Sequence, residues 1–400
     1  MHPLMPPLAM TAFCIASSLG AGCAETLSAL QRGVTGLAPC RFETVDLPTY
    51  VGEVPGLEAV RLDQGLVRFD SRNNRLALLA LRQDGFAAAV EAAKARYGAG
   101  RVGVFLGTST SGILQTELAW RRRDPASGRL PPDLHYEGTQ STFSLADFVM
   151  HLFGLRGPGL VVSAACASTT KVFATAARMI ETGMCDAAIV GGADSLCLTT
   201  LYGFNALQLL DSGPCRPFDA LRAGLSIGEA AGFALLERPA RAADDALHLL
   251  GVGESSDAHH MSAPHPEGAG ASLSMARALA AAGLRPEQID YINLHGTATR
   301  IGDSAEDRAV VSLFGESVPC SSTKGHTGHT LGASGIVEAV IAALAIRHGF
   351  LPGSPHTAAR DPALRCHYVT SARPGAVARV LSNSFGFGGS NASLILGRSQ

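Results

Sequence analysis

Residues 159–194 constrain the fold of this chain more than any other stretch. The apolar run GLVVS at 159–163 predicts a buried strand. A helix with one apolar stripe follows, and Gly183 closes it as a C-cap. The stripe consists of Val172, Ala176, Met179 and Ile180. CDAAIVGGAD then returns as a second strand. Strand, helix and strand form one βαβ unit, so the sequence predicts an α/β fold with largely parallel strands.

Strand and helix signals alternate along the rest of the chain. Strands are predicted at 10–16, 101–107, 289–294 and 318–322, and two more flank the glycine-rich turn near the end. Helices are predicted at 22–31 and 304–314 and around 336–344. The charged, alanine-rich passage ERPARAADDA at 237–246 is the predicted boundary between two halves, 1–243 and 244–400.

Composition excludes several classes of protein. With 46% hydrophobic and 16% charged residues, the 400-residue chain has enough apolar material for a large core. A net charge of −2 provides no basic field for nucleic acid. No membrane span is expected, because no apolar run reaches about 18 residues. The first basic residue is Arg32, so the N-terminus lacks the positive region of a signal peptide. Nine cysteines without a CxxC pair indicate a cytoplasmic chain with mostly inert thiols.

One cysteine stands where the first strand of the βαβ unit meets its helix. Cys166 lies within SAACASTTK, among small residues and not among the large apolar ones that surround a core cysteine. At the first turn of a helix, free N–H groups and the helix dipole lower a thiol pKa and supply donors for an oxyanion. Cys166 is therefore either a nucleophile or a buried structural cysteine, and its position alone does not decide between them.

A histidine follows the strand at 289–294. His295 begins the stretch HGTAT, and side chains just beyond the carboxyl ends of parallel strands line the functional crevice of an α/β sheet. A packed or capping histidine also fits this position.

The loop SSTKGHTGHTLGASG carries a lysine and two histidines. Lys324 is one of only three lysines in the chain, and it precedes His326 and His329. The loop is not a phosphate-binding P-loop, because its lysine precedes the glycines, and no acidic or thiolate neighbour at ligand spacing indicates a metal site. A lysine beside an imidazole disfavours protonation of the ring, so the loop predicts a neutral histidine.

The stretch NSFGFGGSN at 383–391 is rich in glycine. Glycines at 386, 388 and 389 permit backbone conformations closed to other residues and let a substrate approach the main chain. The same pattern is typical of a plain β-hairpin turn.

These four motifs, taken in order, resemble a known family. A cysteine at a helix start, His-Gly-Thr, Lys-x-x-x-x-His and a Gly-Phe-Gly-Gly turn are similar in kind and order to the elongating β-ketoacyl-[acyl carrier protein] synthases. The resemblance extends from about residue 100 to the end of the chain. It implies the thiolase fold, in which two duplicated βαβαβ halves form a five-layered α-β-α-β-α architecture.

The resemblance also implies a reaction, the decarboxylative Claisen condensation. Cys166 would take an acyl chain from a carrier-protein thioester, with the main-chain N–H groups of Cys166 and Phe387 as oxyanion hole. His295 and His329 would bind the thioester carbonyl of a malonyl group and stabilise the enolate formed as carbon dioxide leaves. Attack of this carbanion on the acyl-cysteine would give a longer 3-oxoacyl chain in fatty acid, polyene or polyketide elongation.

Residues around this centre take roles by the same resemblance. Lys324 matches the lysine beside the second histidine, and Phe387 matches a gate that Gly386 and Gly388 free to move. Glu338, Asp303 and Glu306 match buried acids that support the site. Thr297 and Thr299 match residues that hold the pantetheine arm.

Two further assignments concern substrate selection. Thr110 stands where some members carry a bulkier aliphatic gate, so a longer or different acyl chain, such as a polyene, is expected. Arg72, Arg75 and Arg129 are the predicted docking residues for an acidic carrier protein. The more conspicuous run at 121–123 is interpreted as a solvated helix end.

The implied substrates arrive on the phosphopantetheine of an acyl carrier protein, with no metal or further cofactor. The chain is expected to form a homodimer, or a heterodimer with a related chain-length-factor subunit. A thiolase would need a second cysteine in the late turn GFGGSN, which has none. Priming synthases pair cysteine with histidine and asparagine, which His329 argues against. A non-catalytic chain-length factor would lack the nucleophile that Cys166 supplies.

Overall fold

The computed structural model describes residues 4–239 and 247–398. Within these ranges the strands are β1 Leu8–Ser17, β2 Gly20–Ala21, β3 Ala38–Pro39, β4 Tyr50–Gly52, β5 Val102–Gly107, β6 Gly159–Val162, β7 Ala187–Asp194, β8 Ile227–Gly228, β9 Ala230–Glu237, β10 Leu247–Ser256, β11 Tyr291–Asn293, β12 Pro319–Ser321, β13 Phe350–Leu351, β14 His367–Tyr368, β15 Arg373–Pro374, β16 Arg379–Gly386 and β17 Ser390–Arg398. The α-helices are α1 Cys23–Arg32, α2 Arg72–Leu81, α3 Phe86–Tyr97, α4 Ile113–Arg121, α5 Tyr136–Thr139, α6 Ser144–Phe153, α7 Ser168–Glu181, α8 Leu198–Ala206, α9 Ala269–Ala282, α10 Arg300–Phe314, α11 Lys324–Thr327 and α12 Ser334–His348. The predicted boundary between halves, at 243/244, lies outside the described residues.

The main sheet is built twice from the same strand order. Across the first half the order is β1-β9-β7-β5-β6, and across the second it is β10-β17-β16-β11-β12. Numbered in chain order among these five strands, the order in both halves is first, fifth, fourth, second and third, and β14 extends the second half beyond β12. The fourth, second and third strands pair in parallel, and the fifth strand is antiparallel to both of its neighbours. This repeat confirms the duplicated α/β architecture.

The prediction of largely parallel strands is wrong at the centre of the sheet. There β1, β9, β10 and β17 run antiparallel, and β1 joins the two halves by pairing with β10. All residues of β9 are buried. A strand that is covered on both faces is a continuous apolar run whatever its direction, so its sequence does not reveal how it pairs.

Two long helices lie between the two halves of the sheet. α7 packs against β5 and β7 on one side and against β10 and β17 on the other, while α12 packs against β9 and β16. On the outside, α2 and α3 cover the first half, and α9 covers the second with α10 beside it. Apolar cores fill the spaces between these layers. The layers therefore alternate α-β-α-β-α, as predicted.

The central helix α12 is mostly apolar and almost wholly buried. The stretch Leu331–His348 is 18 residues long with a mean hydropathy of 1.4, which by length and composition is enough to cross a membrane. It is 89% buried inside the protein. It holds no uninterrupted apolar run of that length, because Glu338 lies within it. A core helix enclosed by the two halves of the sheet acquires nearly the same apolar composition as a membrane span.

One glycine brings the end of β5 against the start of α7. A Cβ added at Gly107 would lie 2.6 Å from the carbonyl carbon of Ser168. Because glycine has no side chain, the strand can pass this close beneath the turn that precedes α7.

Candidate active site

The turn between β6 and α7 presents Cys166. Ala165 has a left-handed backbone conformation, with φ +48°, which is uncommon for a residue with a side chain. The Ser168 hydroxyl fixes this turn, because it accepts from the N–H of Ala164 at 2.9 Å and donates to the carbonyl of Ala165 at 2.6 Å. Cys166 is 6% exposed, and the main chain of Phe387 lies near enough to its Sγ to lower the pKa of the thiol. The turn thus holds a nearly buried thiol within reach of a main-chain donor.

His329 contacts this thiol directly. Its Nε2 lies 3.0 Å from Cys166 Sγ, and its Nδ1 lies 3.0 Å from Ser334 Oγ. The main chain of His329 is also held, because its N–H donates to Ser226 at 2.7 Å and its carbonyl accepts from Gly228 at 2.9 Å. When Nδ1 carries the ring proton and donates it to Ser334, Nε2 is free to accept the thiol proton. Both the backbone and the side chain therefore aim the imidazole at the sulfur.

His295 lies on the other side of the same small space. Its ring centroid is 5.3 Å from that of His329, and the two rings are nearly perpendicular at 85°. The Glu306 carboxylate on α10 accepts from the main-chain N–H groups of His295 at 2.8 Å and of Gly296 at 2.7 Å. A buried acid therefore fixes the loop that follows β11.

Lys324 and Glu338 form a buried ion pair behind the histidines. Each side chain is 2% exposed, and the Lys324 ammonium is hydrogen-bonded to Glu338. Lys324 Nζ also lies 3.5 Å from His295 Nδ1. Burial raises the pKa of Glu338 to about 7, and the Lys324 ammonium opposes this rise. The ion pair therefore keeps the Lys324 ammonium beside Nδ1 of the His295 ring.

Burial controls the protonation of the three central groups. It raises the pKa of the Cys166 thiol to about 12, although the Lys324 ammonium acts in the opposite direction. It lowers the pKa of His295 and of His329 well below their usual range, and Lys324 lowers both further. The predicted lowering of the thiol pKa by the helix terminus is wrong, because desolvation of the sulfur outweighs nearby positive charge. At neutral pH the resting site holds a thiol and two neutral imidazoles.

A cavity of about 310 Å³ leads to these groups. Cys166, His295 and His329 line it, and so do Thr297 and Thr299. The two threonine hydroxyl oxygens lie 3.1 Å apart. One hydroxyl–hydroxyl bond uses a single donor, so the pair keeps a donor and several lone pairs for a polar ligand.

The glycine-rich turn between β16 and β17 lies over the thiol. Phe387 stacks on Phe204 of α8, with ring centroids 5.4 Å apart. A Cβ added at Gly386 would lie 3.1 Å from the main-chain nitrogen of Cys166, so a side chain would crowd this approach. Gly388 has φ +78°, and its N–H donates to the carbonyl of Met261 at 2.7 Å. The structure thus places the predicted gate directly beside the predicted nucleophile.

Asp303 and Glu306 support the cavity wall from α10. Asp303 accepts from the main-chain N–H groups of Phe218 at 2.8 Å and of Ala298 at 3.1 Å. Burial raises the pKa of Asp303 to about 7 and raises that of Glu306 as well. Both carboxylates bind the main chain of the loop that carries His295 and the two threonines.

Thr110 does not line this cavity, contrary to the prediction. Its hydroxyl lies 3.1 Å from Asp194 Oδ1 and accepts from the N–H of Ser195 at 3.1 Å. Asp194 also accepts from the Thr108 hydroxyl at 2.7 Å and the Gly332 N–H at 2.6 Å. A buried carboxylate requires such donors, so this network explains the small polar residue at position 110 without a substrate.

Two of the three predicted docking arginines are engaged with acids of the same chain. Arg72 is 7% exposed and donates to Glu229 through bonds of 2.8 and 2.6 Å. Arg75 donates to Asp70 through bonds of 2.5 and 2.6 Å. Arg129 is exposed on the loop after α4. The prediction for Arg72 is wrong, because α2 packs against β9 and carries the arginine into the protein.

His326, of the same loop as Lys324 and His329, is a packing residue. It is fully buried, and its Nδ1 lies 2.7 Å from the carbonyl of Val34. Burial lowers its pKa to about 4.

Sequence reasoning missed three residues that belong to the site. Phe204 and Ser334 contact Phe387 and His329, and neither stands in a recognisable motif. Arg300 lines the cavity and is exposed. Arg300 directly follows the motif HGTAT, and this position could have identified it as a site residue.

The three central side chains also offer ligands to a metal ion. One ligand atom each from Cys166, His295 and His329 lies within 4.8 Å of the others, and sulfur and imidazole are ligands that zinc accepts. The Lys324 ammonium opposes a cation at this place, because it lies 3.5 Å from His295 Nδ1. The arrangement favours proton transfer and hydrogen bonding to an oxyanion over metal binding.

Two family models match the chain. Residues 64–242 match the beta-ketoacyl synthase N-terminal domain, and residues 247–358 match the beta-ketoacyl synthase C-terminal domain. Together they span most of the described residues.

Curated relatives carry the same description. The mitochondrial 3-oxoacyl-[acyl-carrier-protein] synthase of Arabidopsis thaliana is 41% identical over 262 residues, which are 61% of this chain and 57% of that protein. The 3-oxoacyl-[acyl-carrier-protein] synthase 2 of Staphylococcus aureus is 33% identical over 311 residues, which are 74% of this chain and 77% of that protein.

A solved structure matches over the whole length. A ketosynthase of Xenorhabdus doucetiae, in complex with its chain length factor, is 37% identical to this chain. Its TM-score is 0.89, and the match covers 100% of both chains.

Proposed function

The chain belongs to the β-ketoacyl synthase family of condensing acyltransferases, and we propose how its residues perform the condensation in fatty acid or polyketide elongation. The observation that carries the proposal is the 3.0 Å contact between Cys166 Sγ and His329 Nε2 at the cavity wall. A nucleophile and a base in hydrogen-bond contact are what acyl transfer to a thiol requires.

The first half-reaction transfers an acyl group to Cys166. The thiol proton moves to His329 Nε2 as the sulfur attacks the carbonyl carbon of a carrier-protein thioester. The main-chain N–H groups of Cys166 and Phe387 stabilise the oxyanion. The carrier thiolate then leaves and takes the proton from the imidazole. An acyl-cysteine and a free carrier thiol result.

The second half-reaction uses the histidines as donors. The C–C bond to the malonyl carboxylate breaks, carbon dioxide leaves, and the electron pair forms an enolate whose oxygen accepts from Nε2–H groups of His295 and His329. Its carbon attacks the acyl-cysteine carbonyl, and the Cys166 thiolate leaves and takes up one proton from solvent. The 3-oxoacyl product stays on the carrier.

His329 requires different tautomers in the two half-reactions. As a base it needs a free Nε2, and as an enolate donor it needs Nε2–H. The Ser334 hydroxyl, 3.0 Å from Nδ1, serves both, because a hydroxyl accepts from Nδ1–H in one tautomer and donates to Nδ1 in the other.

The cavity also supports this reaction over that of a thiolase. Among the residues that line it, Cys166 is the one cysteine, so the described part of the site offers no second thiol as base. All nine cysteines are free, which agrees with the proposed cytoplasmic location.

We propose two binding partners for this chain, an acyl carrier protein and a second subunit. The substrates would arrive on phosphopantetheine, held by Thr297 and Thr299 along the cavity. The whole-length similarity to a ketosynthase that was solved with its chain length factor favours a heterodimer with a subunit of that kind, in a polyketide- or polyene-type pathway. A homodimer is the alternative outcome.

The test is product analysis by mass spectrometry. The chain, with and without a candidate partner subunit, is incubated with malonyl-carrier protein and a series of acyl-carrier proteins. A 3-oxoacyl product is expected from the wild type and from a Cys23→Ser control, whose cysteine lies outside the cavity. Cys166→Ser is expected to form none, because a hydroxyl is a much weaker acid than a thiol and burial lowers the pKa of His329, the base beside it. Undiminished elongation by Cys166→Ser overturns the assignment.

A further inference from the structure

The cavity wall contains one cationic side chain near solvent. Among the residues that line the cavity, Arg300 is the only lysine or arginine, and its side chain is exposed. The ion-pair partner of Asp361 is Arg222, at 2.6 Å, which lowers the pKa of this carboxyl most, while Arg300 lies only near enough to lower it further. The Arg300 guanidinium is therefore available to an anion that enters from solvent.

The main chain of Arg300 is fixed although its side chain is exposed. Its carbonyl accepts from Arg222 Nη2 at 3.3 Å and from the Ser304 hydroxyl at 2.8 Å. Arg300 is also the first residue of α10. Because the main chain of Arg300 is fixed, its guanidinium can occupy only a limited region at the opening of the cavity.

The residue after Arg300 on the cavity wall is apolar. Ile301 also lines the cavity and is 61% exposed. Its side chain offers no hydrogen bond to an anionic group, so Arg300 is the one cationic partner among the lining residues.

Arg300 also follows Thr299 directly in the chain. Thr297 and Thr299 offer hydroxyls to the polar, uncharged part of a bound arm, and Arg300 comes next toward solvent. The order of groups from Cys166 outward is thus thiol, hydroxyls and guanidinium.

We propose that Arg300 binds the phosphate of the phosphopantetheine arm. The inference rests on the proposed function, which brings a phosphopantetheine thioester into this cavity. A guanidinium suits this ligand, because its planar fork of N–H donors matches two phosphate oxygens. The contact fixes the depth of the arm, and so it contributes to placing the thioester carbonyl at Cys166.

The experiment compares two probes that differ only in the phosphate. Binding of 4′-phosphopantetheine and of pantetheine, neither of them acylated, is measured by calorimetry for the wild type, Arg300→Ala and Arg300→Lys. Arg285→Ala, which removes another exposed arginine, is the matched control. Because the assay measures binding and not turnover, it tests the role of Arg300 even if the chain has no condensing activity.

Arg300→Ala is expected to weaken binding of the phosphorylated probe roughly three- to tenfold, the range for one charge-assisted hydrogen-bonded contact screened by solvent. It is expected to leave pantetheine unaffected, and Arg300→Lys should retain part of the difference. Equal weakening of both probes overturns the proposal. So does an effect that appears only with carrier protein, which would assign Arg300 to acidic side chains of the carrier.

Discussion

The Nε2 atom of His329 lies 3.0 Å from Sγ of Cys166, and both residues are buried. Desolvation raises the pKa of the thiol and lowers the pKa of the imidazole, so this hydrogen bond joins two uncharged groups. A thiol attacks only as thiolate, and His329 is the group that can take its proton during attack. In the proposed mechanism His329 therefore acts in both half-reactions and His295 in one.

Replacement of the two histidines is expected to separate the half-reactions. His295→Ala should slow release of carbon dioxide from malonyl-carrier protein by about 100- to 1000-fold, the usual cost of one oxyanion donor. Acylation of Cys166 should stay near the wild-type rate. His329→Ala should slow both steps. Carbon dioxide release and rapid-quench mass spectrometry of the acyl-enzyme measure the two rates.

His135→Ala, at an exposed site, controls for the loss of any histidine. If His295→Ala slows acylation as much as His329→Ala does, the two rings share one role and the division is wrong.

The raised thiol pKa predicts a steep pH dependence of alkylation. Because the pKa of Cys166 is about 12, its thiolate fraction should grow roughly tenfold per unit between pH 7 and 10. The rate of iodoacetamide labelling at Cys166, followed by peptide mass spectrometry, should rise in parallel without a plateau. A plateau below pH 8 would show that the helix terminus, and not burial, controls the thiol.

The same shift affects stability at high pH. The folded thiol keeps its proton over the interval from its ordinary value of 9.0 to about 12, where the unfolded chain releases it. This contribution to the free energy of unfolding is present below about pH 9 and is lost as the pH rises toward 12. Cys166→Ala should flatten the stability profile in that interval.

The sequence predicted that Cys166, His295 and His329 meet, and their ligand atoms do lie within 4.8 Å. Each of these residues lies in a short motif whose residue types suit one chemical role. The motifs could therefore be combined into one site although they are far apart in the sequence. The βαβ units could also be predicted, because the spacing of apolar residues that indicates a strand or a helix lies within a short segment. Strand direction at the centre of the sheet was not, since fully buried strands look alike in sequence.

The failed assignments share one cause, which is a partner far away in the chain. Thr110 bonds to Asp194, 84 residues on, and Arg72 bonds to Glu229, 157 residues on. A single sequence gives no sign of such pairs. Burial of Cys166 has the same origin, because the turn that covers it, at 386–389, lies far from it in sequence, near the end of the chain.

Removal of the Phe387 ring is expected to uncouple decarboxylation from condensation. The ring stacks on Phe204 beside Cys166, and we propose that it limits access to the histidines until an acyl chain is in place. With Phe387→Ala, carbon dioxide released per 3-oxoacyl product should rise above one. Phe143→Ala, at an exposed ring, should keep the ratio at one. An unchanged ratio in Phe387→Ala means that the ring does not order the substrates.

Thr110→Ile is expected to lower stability and leave chain-length selection unchanged. The substitution removes a hydroxyl that bonds to Asp194, and a buried polar group that loses a partner costs about 1–3 kcal/mol. Thr110→Ser keeps the hydroxyl and should stay closer to the wild type. Denaturant unfolding and product mass spectra measure the two effects. Shorter products from a stably folded Thr110→Ile enzyme would show that residue 110 does line the acyl pocket.

Arg72 and Arg129 provide opposite tests of the docking surface. Glu229, the partner of Arg72, also accepts from the main-chain N–H groups of Val54 and Leu196 at 3.0 Å, so one ion pair holds several segments near β8. Arg72→Ala should lower the free energy of unfolding by about 3–5 kcal/mol, the cost of leaving a buried charge unpaired. Turnover of carrier-bound and small pantetheine thioesters should fall alike.

Arg129→Glu should behave in the reverse way, because this side chain is exposed. Stability should change by less than about 0.5 kcal/mol, as for most surface substitutions. Turnover of carrier-bound substrates should fall and lose salt dependence, while small thioesters react as before, because only the carrier protein brings an acidic surface to the enzyme. If charge reversal at Arg129 changes turnover of neither substrate, the carrier binds elsewhere, and Ile301, exposed on the cavity wall, becomes the next residue to mutate.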